Sequence, residues 1–306
     1  MRALLVVNPK ATATTARARD VLAHALASET KLDVVQTTAR GHAIELAAQA
    51  AVDGLDLVVA LGGDGTVNEV VNGLLTGGPS AQVPALAVVP GGSTNVFARA
   101  LGLPDSAVEA TGSLLDAIAV GRRRTIGLGR ADSRWFTFCA GFGLDAEVVR
   151  RVEHRRAKGA KSTPGLFVRA GFAEFLTGPD RKDLPLTLSR SEAEDERLGL
   201  ALVCNTAPWT YLRQRPVLPC PDASFDTGLD VFGLRTLGTV RTLRYLRQIL
   251  SANPRLRGKP LLPLHDVSAF TLTSSRPLPF QVDGDDLGER TRVVFEAVPR
   301  ALRVLV

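Results

Sequence analysis

Short apolar runs alternate with longer amphipathic stretches along roughly the first 120 residues of the chain. Leu4–Val7 is short and wholly apolar, the pattern of a strand buried on both faces. Ala11–Ala27 is long and Ala-rich and predicts a helix, Leu32–Gln36 a second strand, and Ala43–Ala51 a second helix. Leu57–Leu61 and Leu86–Val89 predict two further buried strands. Each runs into a glycine-rich loop and then into apolar residues at helical spacing: Val67, Val70, Val71 and Leu74 after the first, Val96–Leu101 after the second. Leu114–Val120 ends another helix. Alternation of this kind implies a mostly parallel sheet with helices on both faces. Ligands of such sheets bind beyond the carboxyl ends of the strands. Asn8, Thr37, Gly62 and Gly91 each follow a predicted strand directly, so four loops distant in sequence are expected to meet at one edge.

From about Thr125 the pattern changes. Trp135–Ala140, Leu184–Leu188, Leu198–Val203, Leu229–Phe232, Ser268–Thr273 and Leu278–Val282 are short and β-like, as are Val293–Ala297 and Leu302–Val306. Long helical patterns are few. The expected architecture is therefore an α/β N-terminal domain, residues 1–125, followed by a mostly β, sandwich-like second domain, residues 126–297. A chain of 306 residues is the right length for two domains. No internal repeat or low-complexity tract is present.

Composition narrows the classes. The chain is 45% apolar and 22% charged, which is ordinary for a globular protein. No run reaches the roughly 18 apolar residues of a membrane-spanning helix. Ala3–Val7 is too short for a signal-peptide core and lacks a cleavage pattern, so a cytoplasmic protein is expected. Cys139, Cys204 and Cys220 are widely spaced and odd in number, and with four scattered His residues they suggest neither a disulfide framework nor a zinc site. The net charge of +6 and pI near 9.6 suit an anionic partner. Aromatics make up only 5% and no nucleic-acid motif appears, which leaves an anionic membrane or substrate, or simple solubility.

The candidate chemistry centres on Gly62-Gly63-Asp64-Gly65-Thr66, followed by Asn68 and Glu69. Three glycines in four residues let backbone approach a ligand closely, and a strand–loop–helix start offers N–H groups to phosphate. A carboxylate there repels bare phosphate. It makes sense beside a metal–phosphate complex, or as acceptor of a proton from an attacking hydroxyl. A plain tight turn is the alternative. No Walker A sequence occurs, so a P-loop enzyme is not expected. The second loop is Pro90-Gly91-Gly92-Ser93-Thr94-Asn95, leading into Val96-Phe97-Ala98-Arg99. Thr94 is placed to serve as a helix N-cap, a ligand contact, or both.

Together these two loops, GGDGTxNE and PGGSTNxFAR, resemble the diacylglycerol kinase catalytic family, which includes bacterial lipid kinases and sphingosine kinases. NAD kinases and phosphofructokinases carry similar GGDG loops, and Asn68-Glu69 with the second loop tilts the likeness toward lipid kinases. The resemblance is strongest over about the first hundred residues. It implies ATP as phosphoryl donor with Mg2+, a lipid acceptor, and peripheral association with the inner, anionic membrane surface. It also implies that the last stretch, about residues 298–306, returns to the first domain. Nucleotide contacts are implied for Asn8 and Pro9, the Asn-Pro pair after the first strand, and for Thr37, which otherwise merely ends a strand. They are implied equally for Gly62, Gly63, Asp64, Gly65, Thr66, Asn68, Glu69, Gly91, Gly92, Ser93, Thr94 and Asn95. Lys10 stands where the family often has Ser-Gly, and it has the reach to touch a phosphate.

On the acceptor side, Phe280-Gln281-Val282-Asp283-Gly284-Asp285 resembles the family's DGE segment, whose Glu is the proposed general base. Here that residue is Asp285, one methylene shorter, and the alternative is a hairpin turn, which Asp-Gly favours. Gly141-Phe142-Gly143-Leu144-Asp145-Ala146 resembles the family's GxGxDA motif, which implies a role for Asp145 in orienting the acceptor head group. It also satisfies GxGxxA, but the basic segment after it rules out a dinucleotide site. Phe225–Asp230 resembles a segment that holds a structural magnesium in some relatives. With Thr227 in place of an Asp, no metal ligands are assigned. Arg150, Arg151, Arg155, Arg156, Lys158 and Lys161, ahead of a helical pattern through Val168, Phe172, Phe175 and Leu176 that Thr163-Pro164 would cap, suit an anionic membrane or a solvated loop. Arg241, Arg244 and Arg247 form a second basic face. The reading is an ATP-dependent lipid kinase with Asp64 and Asp285 as catalytic residues. A soluble-substrate kinase acting on NAD or a sugar, or a catalytically impaired binding protein, are the alternatives.

Overall fold

A computed structural model describes residues 1–11, 16–143, 145–147, 149–151, 184–191, 193–212, 214–238, 244–245, 247–251, 254 and 256–306. The chain divides into two compact units, Met1–Gly127 with Arg300–Val306, and Leu128–Pro299.

The first unit runs β1 (Arg2–Val7), α1 (Ala16–Ala27), β2 (Lys31–Gln36), α2 (His42–Val52), β3 (Leu57–Gly62), α3 (Asp64–Leu74), β4 (Ala85–Pro90), α4 (Val96–Ala100) and α5 (Ala107–Val120). Its strands lie in the order β2-β1-β3-β4, all parallel. Every residue of β3 and β4 is buried, which is why both read as unbroken apolar runs. No residue of β2 is fully buried, and its mixed sequence KLDVVQ fits an edge strand. Leu5, Val7, Leu22, Leu26, Val59, Leu61, Val89 and Leu114 form the core. Burying each such Val or Leu contributes about 1.5–3 kcal/mol.

The second unit continues with β5 (Arg123–Ala131), β6 (Arg134–Phe136), β7 (Cys139–Gly143), β8 (Leu186–Arg190), β9 (Ala193–Leu198), β10 (Leu200–Cys204), β11 (Thr210–Leu212), β12 (Arg215–Val217), β13 (Leu229–Leu234), β14 (Leu261–Val267), β15 (Ala269–Val282) and β16 (Asp285–Leu305). The first residues of β5 and the last of β16 belong to the first unit. Antiparallel pairing follows the path β14-β13-β10-β7-β15-β16. Thr271–Ser274 of β15 pair with β8, whereas Phe280–Val282 pair with β7, so one long strand serves two differently partnered sections around a single core. Phe136, Phe142, Phe270, Phe280 and Phe295 fill that core, with the Phe270 and Phe295 rings stacked at 5.0 Å.

The end of β16 pairs parallel to β4, with Val304 opposite Leu86, so the sheet of the first unit gains a fifth strand from the last residues of the chain. Several expected strands are redrawn. Trp135–Ala140 is broken between β6 and β7, because the amides of Thr137, Phe138 and Cys139 turn onto the Asp283 carboxylate. The segments 268–273 and 278–282 fuse into β15, and 293–297 and 302–306 into β16. The helical pattern expected around Val168–Leu176 lies outside the described residues.

Candidate functional site

The carboxyl ends of the parallel strands bring the predicted loops together in the first unit. Val7 is opposite both Gln36 and Leu61, and Gly62 is opposite Pro90, so Asn8, Thr37, Gly63 and Gly91 begin their loops within one residue of the same level. Backbone bonds tie these exits: Asn8 N donates to Leu61 O at 3.0 Å, Thr37 N to Val7 O at 2.8 Å, and Gly91 N to Gly62 O at 2.8 Å. Asn8 also donates through Nδ2 to Thr66 Oγ1 at 2.9 Å, while its Oδ1 accepts from Lys10 N at 2.9 Å and turns the loop. Pro9, Lys10 and Ser93 are exposed, whereas Asn8, Thr37, Gly63, Asp64, Gly65, Gly92 and Thr94 are half-buried.

The two glycine loops touch. A Cβ placed on Gly92 would stand 2.7 Å from Gly63 Cα, and one on Gly63 would stand 3.2 Å from Gly92 Cα. Backbone meets backbone there, so no side chain can rotate aside. Gly92→Ala must therefore part the loops, and if they hold nucleotide together, ATP affinity should fall at least about tenfold, or roughly 1.4 kcal/mol. Calorimetric titration of the folded variant with ATP checks this, and unchanged affinity would detach the contact from nucleotide binding.

Asp64 is the first residue of α3, with Gly63 as N-cap. Its carboxylate reaches the second loop, where Oδ2 accepts from Val96 N at 3.0 Å and Oδ1 from Phe97 N at 3.1 Å. The first two amides of α4 are thus capped from α3. Thr94 is not the N-cap: that position is Asn95, in a left-handed conformation with φ 50° and no capping bond of its own. Asn95 instead closes the loop, accepting from Gly92 N at 2.9 Å through Oδ1.

Asn68 and Glu69 face inward. Asn68 is fully buried, and its Oδ1 accepts from Asn72 Nδ2 at 3.1 Å. Glu69 accepts from Gly41 N at 2.8 Å and Ala43 N at 3.3 Å, which caps α2 and holds the loop that begins at Thr37. Both side chains thus hold protein groups next to the loops.

In the second unit the DGD segment is a two-residue hairpin between β15 and β16. Asp283 and Gly284 have φ 49° and 85°, the pattern of a type I′ turn, and Val282 is opposite Asp285. Asp283 anchors the turn. Its buried carboxylate accepts from Thr137 N at 2.7 Å, Thr137 Oγ1 at 2.8 Å, and Phe138 N and Cys139 N at 3.0 Å each. Burial still holds its pKa above the usual carboxylate range, against these four bonds. Asp285 is half-buried at the start of β16. Directly opposite residues share a face, so Asp285 lies on the Val282 side and Asp286 on the Gln281 side.

Asp145 is buried beneath the same hairpin and accepts from Gln281 Nε2 at 2.7 Å. A side chain at Gly141 would run into its carboxylate, which is why the motif needs glycine there. Burial raises the Asp145 pKa from 3.8 to about 6, opposed by the Gln281 bond. A carboxyl whose folded pKa is raised loses stability as pH climbs from the unfolded to the folded value. Stability should therefore fall between about pH 4 and 6, by on the order of 2–3 kcal/mol. Asp145→Asn should flatten that slope in urea denaturation, and an equal slope in the variant would place the cost elsewhere. Thr137 and Gln281 carry no motif signal of their own; the Asp-Gly pair and the two motif likenesses pointed to this corner.

Arg150 is ion-paired with Glu147 at 2.5 Å and Glu289 at 3.0 Å, so its charge is partly committed within the unit. Arg155, Arg156, Lys158, Lys161 and Arg241 lie outside the described residues, while Arg244 and Arg247 are exposed. In the Phe225–Asp230 segment, Thr227 donates to Ser224 O at 3.1 Å and Gly228 N to Asp266 Oδ1 at 2.6 Å. Asp230 is buried against His265 Nδ1 at 2.9 Å, and this carboxylate raises the His265 pKa. Among the described residues, no group of three or more His, Cys, Asp or Glu side chains is arranged to hold a metal.

Two glycine loops thus meet at the carboxyl edge of the parallel sheet, and a mostly β unit follows them in the chain. The structure resembles that of a Bacillus anthracis protein assigned as a diacylglycerol kinase, at TM-score 0.77 and 21% identity over 99% of this chain and 97% of that one. It also resembles an NAD kinase from Archaeoglobus fulgidus solved with ATP, at TM-score 0.53 and 12% identity over 100% and 94%. Residues 2–131 match the model of the diacylglycerol kinase catalytic domain. A diacylglycerol kinase of Bacillus subtilis is 43% identical over 117 residues, 38% of this chain but only 36% of that protein. One of Staphylococcus aureus is 28% identical over 249 residues, 80% of this chain and 73% of that protein.

Proposed function

We propose that this chain is an ATP-dependent lipid kinase that transfers the γ-phosphoryl group to a hydroxyl of diacylglycerol, a sphingoid base or a similar amphiphile. The observation that carries the reading is the contact between the two glycine loops at the strand ends, beside Asn8 and Thr37. The first N–H groups of an α-helix have no partner within it, so the start of α3 at Gly63–Thr66 is suited to phosphate. Gly91–Asn95 form the neighbouring wall, and exposed Lys10 supplies a positive charge. The fold likeness to an NAD kinase solved with ATP supports the choice of nucleotide.

Magnesium fits this site as a companion of the phosphates rather than as an ion in a protein cage. Asp64 places a carboxylate at the first residue of α3, beside the second glycine loop whose Val96 and Phe97 amides it accepts. Mg2+ typically keeps several waters and takes one or two carboxylates plus phosphate oxygens. Asp64 is the residue placed to hold it, and the ion would neutralise charge on the transferring phosphoryl group.

In the second unit, Asp145 orients the acceptor head group and Asp285 takes the proton of its hydroxyl. As that oxygen bonds to the γ-phosphorus, the bond to the ADP oxygen breaks and the proton resides on Asp285. No helix among the described residues is long and apolar enough to cross a membrane. The net charge of +6 supports a peripheral position at the anionic inner surface.

A soluble acceptor such as NAD is the second reading, favoured by the shared NAD kinase fold. Incubation with labelled ATP, Mg2+, a lipid panel and NAD, with mass spectrometry of the products, separates the two. A phosphorylated lipid is expected. Phosphorylation of NAD alone would overturn the lipid assignment, and no product at all would favour a binding protein that has lost catalysis.

A further inference from the structure

Gln281 is 1% exposed, and its side-chain amide is used at both ends. Nε2 donates to Asp145 Oδ2 at 2.7 Å, and Oε1 accepts from Gly284 N at 2.9 Å. Both bonds fix the amide's sense. Turning it over would set Oε1 against a carboxylate and the NH2 group against an N–H, two repulsive contacts in a buried place. Among the described residues Gln281 is the one hydrogen-bond donor to Asp145. Among the described residues, the other titratable groups that act on Asp145 are the Cys139 thiol of β7 and the Cys204 thiol of β10, both held neutral by burial and by their neighbours. Neither supplies a counter-charge.

The register sharpens the point. Asp285 shares a face with Val282, whereas Asp145 is bonded on the Gln281 side. The two acceptor-side carboxylates therefore belong to opposite faces of one hairpin. The Gln281 amide joins them, because it grips Asp145 at one end and, at the other, the backbone of the turn that leads into Asp285.

We propose that Gln281 is a positioning residue, which aims the Asp145 carboxylate and fixes the Asp283–Gly284 turn with the same buried amide. This rests on the reading of Asp145 and Asp285 as acceptor-side groups. Gln281 touches neither the substrate nor the transferred group. It acts through the two carboxylates.

Gln281→Leu removes both bonds at nearly constant volume. Loss of the donor should move the Asp145 carboxyl titration, followed by 13C NMR on the full chain, upward by about one unit. Loss of the acceptor should loosen the turn, so kcat with diacylglycerol should fall about 10–100-fold while the ATP Kd stays unchanged. The acid limb of the kcat profile should move with the titration. In an Asp145→Asn background the same change should cost less than about threefold, since coupled residues are not additive. An unmoved titration, an unchanged kcat, or an equal loss with and without the Asp145 carboxylate would each overturn the proposal. If Gln281→Leu fails to fold by circular dichroism, Gln281→Met, closer in shape, repeats the measurements. A wild-type protein inactive on every lipid would overturn the lipid kinase reading. The titration would still decide the Gln281–Asp145 link, so the two failures are distinguishable.

Discussion

Asp64→Asn should lower phosphoryl transfer by about 10²-fold or more while the protein stays folded. The carboxylate does two things that an amide cannot. It accepts from Val96 N and Phe97 N with its two oxygens, at 3.0 Å and 3.1 Å. An Asn side chain has one acceptor oxygen, so one of the α4 amides would face an NH2 group. The loss of one such bond to a charged acceptor is about 1.5–3 kcal/mol, within the 5–15 kcal/mol that a typical domain holds. The second loss is the negative charge beside the phosphate loop. Thermal melting with single-turnover phosphoryl transfer separates these effects. Activity within about threefold of wild type would remove Asp64 from the mechanism and leave it as the tether between the loops.

Asp285→Ala should lower the rate by about 10²–10⁴-fold if Asp285 takes the hydroxyl proton. ATP affinity should change little, because the loops proposed to hold the nucleotide belong to the first unit. The turn should survive the change, since Asp283, not Asp285, anchors it with four accepted bonds. Asp285→Glu restores the residue of the family motif and should retain activity or raise it. Loss of ATP binding in the Ala variant with transfer intact would make the segment a nucleotide or structural element. Near-normal turnover would leave Asp64 as the better base.

Much of the first unit was legible because its strands are buried on both faces. Leu57–Leu61 and Leu86–Val89 could be read from composition alone, and Gly62 and Gly91 mark where they end. Contacts between loops were not legible. That Asp64 caps α4, or that Glu69 caps α2, depends on residues about 30 positions apart in sequence, and no local pattern records it. The same holds for Thr94. An N-cap role follows from its residue type, but the cap is delivered from α3 instead. In the second unit the strands from β6 to β8, β10, β13, β15 and β16 were read in whole or in part, whereas β5 and the short β11 and β12 were not. β9, with sequence AEDERL, was missed because it buries little beyond Leu198. β14 was missed because only its first two residues are buried and Pro263 interrupts it. The Asp-Gly pair suggested a hairpin and, through its likeness to the DGE motif, a catalytic residue. The hairpin is present, with Asp283 and Gly284 making the turn and Asp285 following it.

The strand added to the first unit by residues 300–306 bears on how the molecule is made. On a ribosome, β1 to β4 emerge early, but the strand that covers β4 emerges after the whole second unit. Ala301, Leu302, Val304 and Leu305 are all buried in the finished protein. Until they arrive, the β4 edge lies open, at a place where unpaired strands recruit other chains. The nascent first unit therefore has to wait, unfinished, for residues 300–306, and premature termination just before Arg300 would release a protein whose second unit is formed and whose first is not.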